Sequence, residues 1–249
     1  MRIATWNVNS LRARLPRLQA WLEEAQPDVV CLQETKVADT EFPHLVFQGL
    51  GYDACSWGTG RWSGVAVASR IGLEGVVKGF GDEARLVSAV CGGVRVGSLY
   101  VPNGRMVGTE HYEEKLRWLA SLTAWLDSLE GDVPLALCGD FNIAPDDRDV
   151  WDAKLAHGAT HVSPRERASF QVLLDRGLHD AFRLHSDDSG VFSWWDYRAG
   201  YFHKNYGMRI DLILLSAGLA ARCVSCRIDR EARKGKAASD HAPVIVDLA

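Results

Sequence analysis

The 249-residue sequence has no apolar run of membrane-spanning length, no internal repeat, no low-complexity tract and no Pro-, Gly- or Ser-rich linker. A membrane helix needs about 20 consecutive apolar residues, so nothing here reads as a span. With no linker or charge block to divide it, the chain is expected to form one domain over residues 1–249. The opening Met1-Arg2-Ile3-Ala4-Thr5-Trp6 has no signal-peptide apolar core, and the cytoplasm is the expected compartment.

Cysteine is sparse and unpatterned. The six fall at 31, 55, 91, 138, 223 and 226, several inside apolar runs where a thiol packs as a small hydrophobe, and they imply no disulfide framework. Cys223-Val224-Ser225-Cys226 has the spacing of half a zinc site, but no second Cys or His pair stands nearby to complete four ligands. Excess basic charge is also lacking: the formal net charge is −4. Glu34, Asp140, Asp211 and Asp240 are candidate site residues among the 32 acids, and the remaining 28 balance the 28 Lys and Arg. Net charge therefore decides nothing about nucleic-acid binding, which depends on basic residues gathered on one face.

What the sequence has is an ordinary globular composition, 47% hydrophobic and 24% charged, which argues against disorder. Short runs rich in Val, Ile and Leu at 2–8, 28–33, 63–69, 86–91, 94–101, 134–140, 210–215 and 243–248 read as buried strands. Gly92-Gly93 between two of them suits a two-residue hairpin turn. Leu11, Leu15, Leu18 and Leu22 predict an amphipathic helix over 10–25 with Ser10 as N-cap. Leu116, Leu119, Leu122, Leu126 and Leu129 predict another from Thr109 to about Leu129. A third over 164–176 turns Phe170, Leu173 and Leu174 inward. Abundant strands with helices between them fit an α+β chain of mixed sheets packed face to face, helices outside.

Polar side chains gather at the ends of these runs: Asn7, Glu34, Tyr100, Asn103, Asp140, Asn142, Asp211, Asp240 and His241. Each has an ordinary structural explanation taken alone, as a turn-forming Asp or Asn or a surface Asp-His pair. Their number, each beside its own apolar strand, points to a site. Hard oxygen donors suit Mg²⁺ or Mn²⁺ better than zinc. Phosphodiester hydrolysis needs this set: a metal on the phosphoryl and leaving oxygens, a carboxylate to deprotonate water, and amide and imidazole donors for the developing charge.

The segments Trp6-Asn7-Val8-Asn9, Leu32-Gln33-Glu34-Thr35-Lys36, Ser63-Gly64-Val65-Ala66, Tyr100 to Gly104, Gly139 to Pro145, Phe192 to Arg198, Arg209-Ile210-Asp211 and Ser239-Asp240-His241 follow one another in an order that resembles exonuclease III-type apurinic/apyrimidinic endonucleases, across essentially the whole chain. Asn7, Glu34 and the Asp-His pair alone would match the wider superfamily, including pancreatic-type deoxyribonucleases, sphingomyelinases and inositol-polyphosphate phosphatases. The segments at 100–104 and 194–198 are specific to the repair nucleases.

The resemblance implies a deoxyribonuclease I-like four-layer sandwich with the site at one end of its two sheets. It implies Glu34 as main metal ligand with Asn7 and Asp240, and Asp140 and Asn142 for a second metal. Asp140 would activate water, His241 oriented by Asp211 would bind the scissile phosphate, and Tyr100 and Asn142 would stabilise the transition state. Trp194, Met208 and Ile210 would form an apolar pocket for a baseless sugar, with Met208 standing where some relatives carry an aromatic. Asn103, Lys36 and Arg61 would contact substrate, and the run Arg230, Arg233, Lys234, Lys236 is a candidate phosphate grip. Arg105 stands near a position where some relatives insert an arginine into the duplex, but the loop length differs here and that role is not carried over.

The implied activity is Mg²⁺-dependent cleavage 5′ to abasic sites in duplex DNA, with 3′-to-5′ exonuclease and 3′-phosphatase activity, by a monomer without membrane partners. A lipid or phosphoinositide phosphatase on the same scaffold would show membrane-facing apolar loops or a secretion signal. A binding protein that had lost catalysis would show gaps in the constellation. The sequence has neither feature.

Overall fold

The structure is a computed structural model that describes residues 1–129 and 133–249. In chain order its strands are β1 (Arg2–Asn7), β2 (Val29–Gln33), β3 (Asp53–Trp57), β4 (Val65–Ser69), β5 (Glu74–Lys78), β6 (Leu86–Cys91), β7 (Val94–Tyr100), β8 (Leu135–Asp140), β9 (Leu178–Asp180), β10 (Asp211–Ser216), β11 (Cys223–Ile228) and β12 (Val244–Leu248). They form two six-stranded sheets, β11-β12-β1-β2-β4-β3 and β5-β6-β7-β8-β10-β9. Each sheet is antiparallel except at its centre, where β1 runs parallel to β2 and β7 to β8. A parallel pair needs a long crossover. Helix α1 (Leu11–Ala25) supplies the first and α3 (Glu110–Asp127) the second, while α2 (His44–Gly49), the single turn α4 (Ala153–Ala156) and α5 (Pro164–Asp175) lie in other connections.

The central strands are buried on both faces, which is why they read as continuous apolar runs. In β2, Val29 and Cys31 enter the layer between the sheets with Val65, Val67, Val96 and Ala136. The alternate residues Val30 and Leu32 meet Leu18, Trp21 and Leu22 of α1 on the outside. On the far side Trp118, Leu119 and Leu122 of α3 cover Leu137, Leu212 and Leu214. Each fully buried Leu or Val stabilises the fold by about 1.5–3 kcal/mol. The result is the α+β four-layer sandwich implied by the sequence resemblance.

Three local expectations change. Ser10 is not a side-chain cap: its φ is 91° and its hydroxyl makes no capping bond. The backbone N–H groups of Ser10 and Leu11 instead donate to the carbonyls of Glu34 and Thr35, at 2.7 and 2.9 Å, so the start of α1 is tied to the turn that presents Glu34. Helix α3 ends at Asp127. Its buried stripe is Tyr112, Lys115, Trp118, Leu119, Leu122 and Trp125, with Leu116, Leu126 and Leu129 only partly covered, because the 3.6-residue period runs the buried face through 112, 115, 118–119, 122 and 125.

Candidate active site

Topology brings the polar residues together. The parallel strands β1, β2, β7 and β8 all point their C-terminal ends to one edge of the sandwich, delivering Asn7, Glu34, Tyr100 and Asp140. The antiparallel strands β10 and β12 start from that edge, so Asp211 stands opposite Asp140 in register and Asp240-His241 precedes β12. Gly139 permits β7 and β8 to close there: a Cβ on it would lie 2.0 Å from the Leu99 carbonyl oxygen. The backbone is strained at the same edge, with Asn9, Glu34, Lys36 and Asn142 all at positive φ, a conformation that functional sites hold at the expense of stability.

Asn7 is fully buried, and its Nδ2 donates to both Glu34 Oε1 and Asp140 Oδ2 at 2.9 Å. Asp140 Oδ1 accepts from the backbone N–H of Asn142 at 2.9 Å. His241 places Nδ1 2.8 Å from Asp211 Oδ2 and Nε2 3.8 Å from Asp140 Oδ2. The first contact fixes the ring; the second is too long for a direct hydrogen bond. Asn103 Nδ2 donates to Asn142 Oδ1 at 3.3 Å, and Lys36 Nζ lies 2.8 Å from Glu34 Oε2. Asp240 stands slightly apart, its oxygens accepting from Asn9 Nδ2 and Trp194 Nε1 at 2.9 and 3.1 Å.

Charge in this cluster is unbalanced. Burial, together with the neighbouring Asp211 and Glu34, pushes the Asp140 carboxyl up to about 7 against the opposing pull of His241 and Asn7. Burial acts against the imidazolium of His241, but Asp211, Asp140 and Asp240 outweigh it and raise the group to about 10. Tyr100 is driven well above its ordinary range by burial and then by Glu34 and Asp140, so its hydroxyl stays protonated. Glu34, Asp140 and His241 each offer one ligand atom within 4.8 Å of the others, and the carboxylate oxygens among them are donors that fit a hard divalent cation.

Trp194, Met208 and Ile210 meet in one small apolar cluster with Val150 and Val162. Trp194 pairs with Met208 on one side and His241 on the other through isolated bridges, which sets the apolar surface directly beside the imidazole. Arg61 lies exposed on the loop before β4, and Arg105 is exposed at φ 52° beside Asn103. The basic run is only partly free: Lys234 and Lys236 are exposed, the two arginines are not. Arg230 sits over the rings of Trp195 and Phe202, Arg233 is buried over Tyr197 and Phe202, and Lys234 pairs with Glu231. Their aliphatic stems and planar guanidinium groups pack on aromatics.

Two residues of the network carried no weight in the sequence reading. Asn9 links Lys36 to Asp240. Ser193, fully buried, donates from Oγ to Asp211 Oδ2 at 2.7 Å and accepts from the backbone of Ile210 and Asp211. Both stand inside the segments that carry the resemblance, where only their more chemically active neighbours were singled out.

Comparison with known proteins agrees with this geometry. The chain is 36% identical to exodeoxyribonuclease III of Haemophilus influenzae over 98% of both chains. Among solved structures it matches the 3′ phosphatase NExo from Neisseria, bound to a product DNA hairpin, with TM-score 0.97 and 38% identity over 100% of this chain and 99% of that one. It matches an AP endonuclease from Archaeoglobus fulgidus with TM-score 0.95 and 34% identity, again over 100% and 99%. The model of the Endonuclease/Exonuclease/phosphatase family covers residues 4–241, and the chain belongs to that family.

Proposed function

We propose that this protein is a DNA-repair nuclease that hydrolyses P–O3′ bonds with Mg²⁺ or Mn²⁺, at abasic sites in duplex DNA and at 3′ termini. The observation that carries the reading is the Asp211–His241 pair aimed at Asp140, with Asn7 joining Asp140 to Glu34. Glu34 would be the main metal ligand, with Asn7 and Asp240 as supporting donors and Asp140 and Asn142 available to a second ion. A bound cation would supply positive charge against the phosphoryl and leaving oxygens.

The chain's own groups do the rest. Asp140 takes a proton from the attacking water. His241, held charged by Asp211, grips a non-bridging phosphate oxygen. The protonated Tyr100 hydroxyl and the amides of Asn142 and Asn103 donate to oxygens whose charge grows in the transition state. A new P–O bond forms to water as the P–O3′ bond breaks, leaving a 3′-hydroxyl. That single bond change accounts for incision 5′ to a baseless sugar, release of a 3′-terminal nucleotide and release of phosphate from a 3′-phosphate end. Trp194, Met208 and Ile210 accept the flipped deoxyribose, and Lys36 and Arg61 lie toward the DNA backbone.

Single-turnover cleavage of labelled duplexes, one carrying a tetrahydrofuran abasic analogue and one a 3′-phosphate at a nick, tests the reading with Mg²⁺ and with chelator. Mg²⁺-dependent cutting at these bonds is the expected result, and the two rates give the share of each reaction. An intact protein that cuts neither duplex would overturn it.

A further inference from the structure

Lys115 is fully buried in α3, one turn from its start, on a face that otherwise packs apolar side chains. A buried ammonium is tolerated only when its charge is paired and its donors are used. Here all three are. Lys115 forms an ion pair with the fully buried Glu166 of α5, and its Nζ also donates to the backbone carbonyls of Asn142 at 2.6 Å and Asn103 at 3.4 Å. Glu166 in turn accepts from the backbone N–H groups of His161 and Ser163 at 3.0 and 3.1 Å and from the Ser163 hydroxyl at 2.6 Å. Burial works against its charge, but Lys115 and these hydrogen bonds outweigh it and hold Glu166 below the ordinary carboxylate range.

The pair therefore fastens three loops that share no strand: 101–105, 141–145 and 160–163. Its sharpest effect falls on Asn142. That residue has φ 50°, the left-handed region that a side chain other than glycine's occupies only under constraint. Its carbonyl oxygen is held by two short contacts, Lys115 Nζ and His161 Nδ1, both at 2.6 Å, which fixes the peptide orientation that follows. From this backbone Asn142 gives its N–H to Asp140 and receives the Asn103 amide.

We propose that Lys115 and Glu166 are positioning residues for the hydrolysis: from behind the site they lock Asn142 in its left-handed conformation and keep the Asn103 and Asn142 amides aimed at the phosphate. Neither side chain touches substrate. The claim rests on the nuclease reading for its kinetic consequence and on geometry alone for its structural one, so the two can fail separately.

The test uses the full chain carrying Lys115→Met together with Glu166→Gln, a substitution pair that leaves no buried charge unmatched. Lys115→Met alone is the companion variant. In crystals grown without metal, Asn142 is expected to leave the positive-φ region and to lose its contact with Asn103. An unchanged Asn142 in the folded variant overturns the proposal whatever the activity. In cleavage of the abasic duplex, kcat is expected to fall about 10²-fold with KM unchanged, the size of effect seen when one preorganised donor is lost. The same substitutions in an Asn142→Ala background are expected to bring a clearly smaller further loss, the part that passes through Asn103 and the Asn142 backbone N–H. An equal loss in both backgrounds would mean that the pair merely stabilises the fold. If the wild-type protein cuts no DNA, the functional reading falls and the crystallographic result still decides the inference.

Discussion

Two buried charge clusters lie close together in this protein and are built to opposite ends. In the first, Arg209 is almost fully buried between Asp149 and Asp180, at 2.6 and 2.8 Å, and Arg183 closes on Asp149 at 2.6 Å. Two formal positive charges meet two negative ones, and the segment that carries Met208 and Ile210 into β10 is anchored by them. In the second, among the described residues, the direct ion pairs of Glu34, Asp140 and Asp211 are with Lys36 and His241, and Asp240 has none, with Arg233 and Lys115 acting on Asp240 and Asp140 from further off. The first cluster is complete in itself. The second carries a formal deficit of positive charge, and Asp140 at about 7 and His241 at about 10 record the strain. Buried charge that is matched supports a scaffold, whereas buried charge left unmatched marks a candidate site, here one suited to a cation.

The sharpest way to break this contrast is Asp140→Asn. It removes the proposed base, and single-turnover cleavage is expected to fall about three or more decades. The sign of its effect on stability is the opposite. An acid whose folded value is raised is penalised for its charge, a penalty absent below the ordinary 3.8 and complete above about 7. In chelator at pH 8, Asp140→Asn should therefore melt higher than the wild type by calorimetry, and a lower melting temperature would refute the deficit. Arg209→Met should do the reverse. It leaves Asp180 unpaired in the interior and Asp149 with Arg183 alone, and denaturant unfolding is expected to show a loss of about 3–5 kcal/mol.

Smaller effects refine the comparison. Asp211→Asn releases the His241 ring and leaves it without its main source of charge. Cleavage should drop about 100-fold, the upper range for loss of an orienting partner, and the His241 resonance followed by NMR should titrate well below 10. The smallest expected effect is on pH-dependent stability. His241 has a folded value raised above the ordinary 6.5, so its contribution is fully present below 6.5 and lost as pH rises through about 10. Between pH 7 and 10 the metal-free wild type should lose melting temperature more steeply than Asp211→Asn.

Much of this was legible in the sequence, and the omissions have a physical pattern. The eight strands visible as apolar runs are the interior strands of the two sheets. The four that escaped, β3, β5, β9 and β11, are the four sheet edges. Edge strands need not be apolar on both faces: β5 is exposed at every residue and β11 at alternate positions or partly so. That the candidate residues gather in one place was readable because each follows or precedes an interior strand. Lys115 escaped for the opposite reason. Its position four residues before Leu119 places it on the buried face of α3, but a lysine there reads as a solvated charge until Glu166, fifty-one residues later, is known to meet it. The packing of Arg230 and Arg233 in the 230–236 run was hidden in the same way, since the aromatic rings that cover them are distant in sequence.

The measurement that bears most directly on the charge deficit is calorimetric titration of Mg²⁺ and Mn²⁺ into the DNA-free protein and into Glu34→Ala. Saturable binding by the wild type, weakened about tenfold or more in Glu34→Ala, is the predicted result. Binding that is indifferent to Glu34, or no binding by a folded wild-type protein, would contradict it.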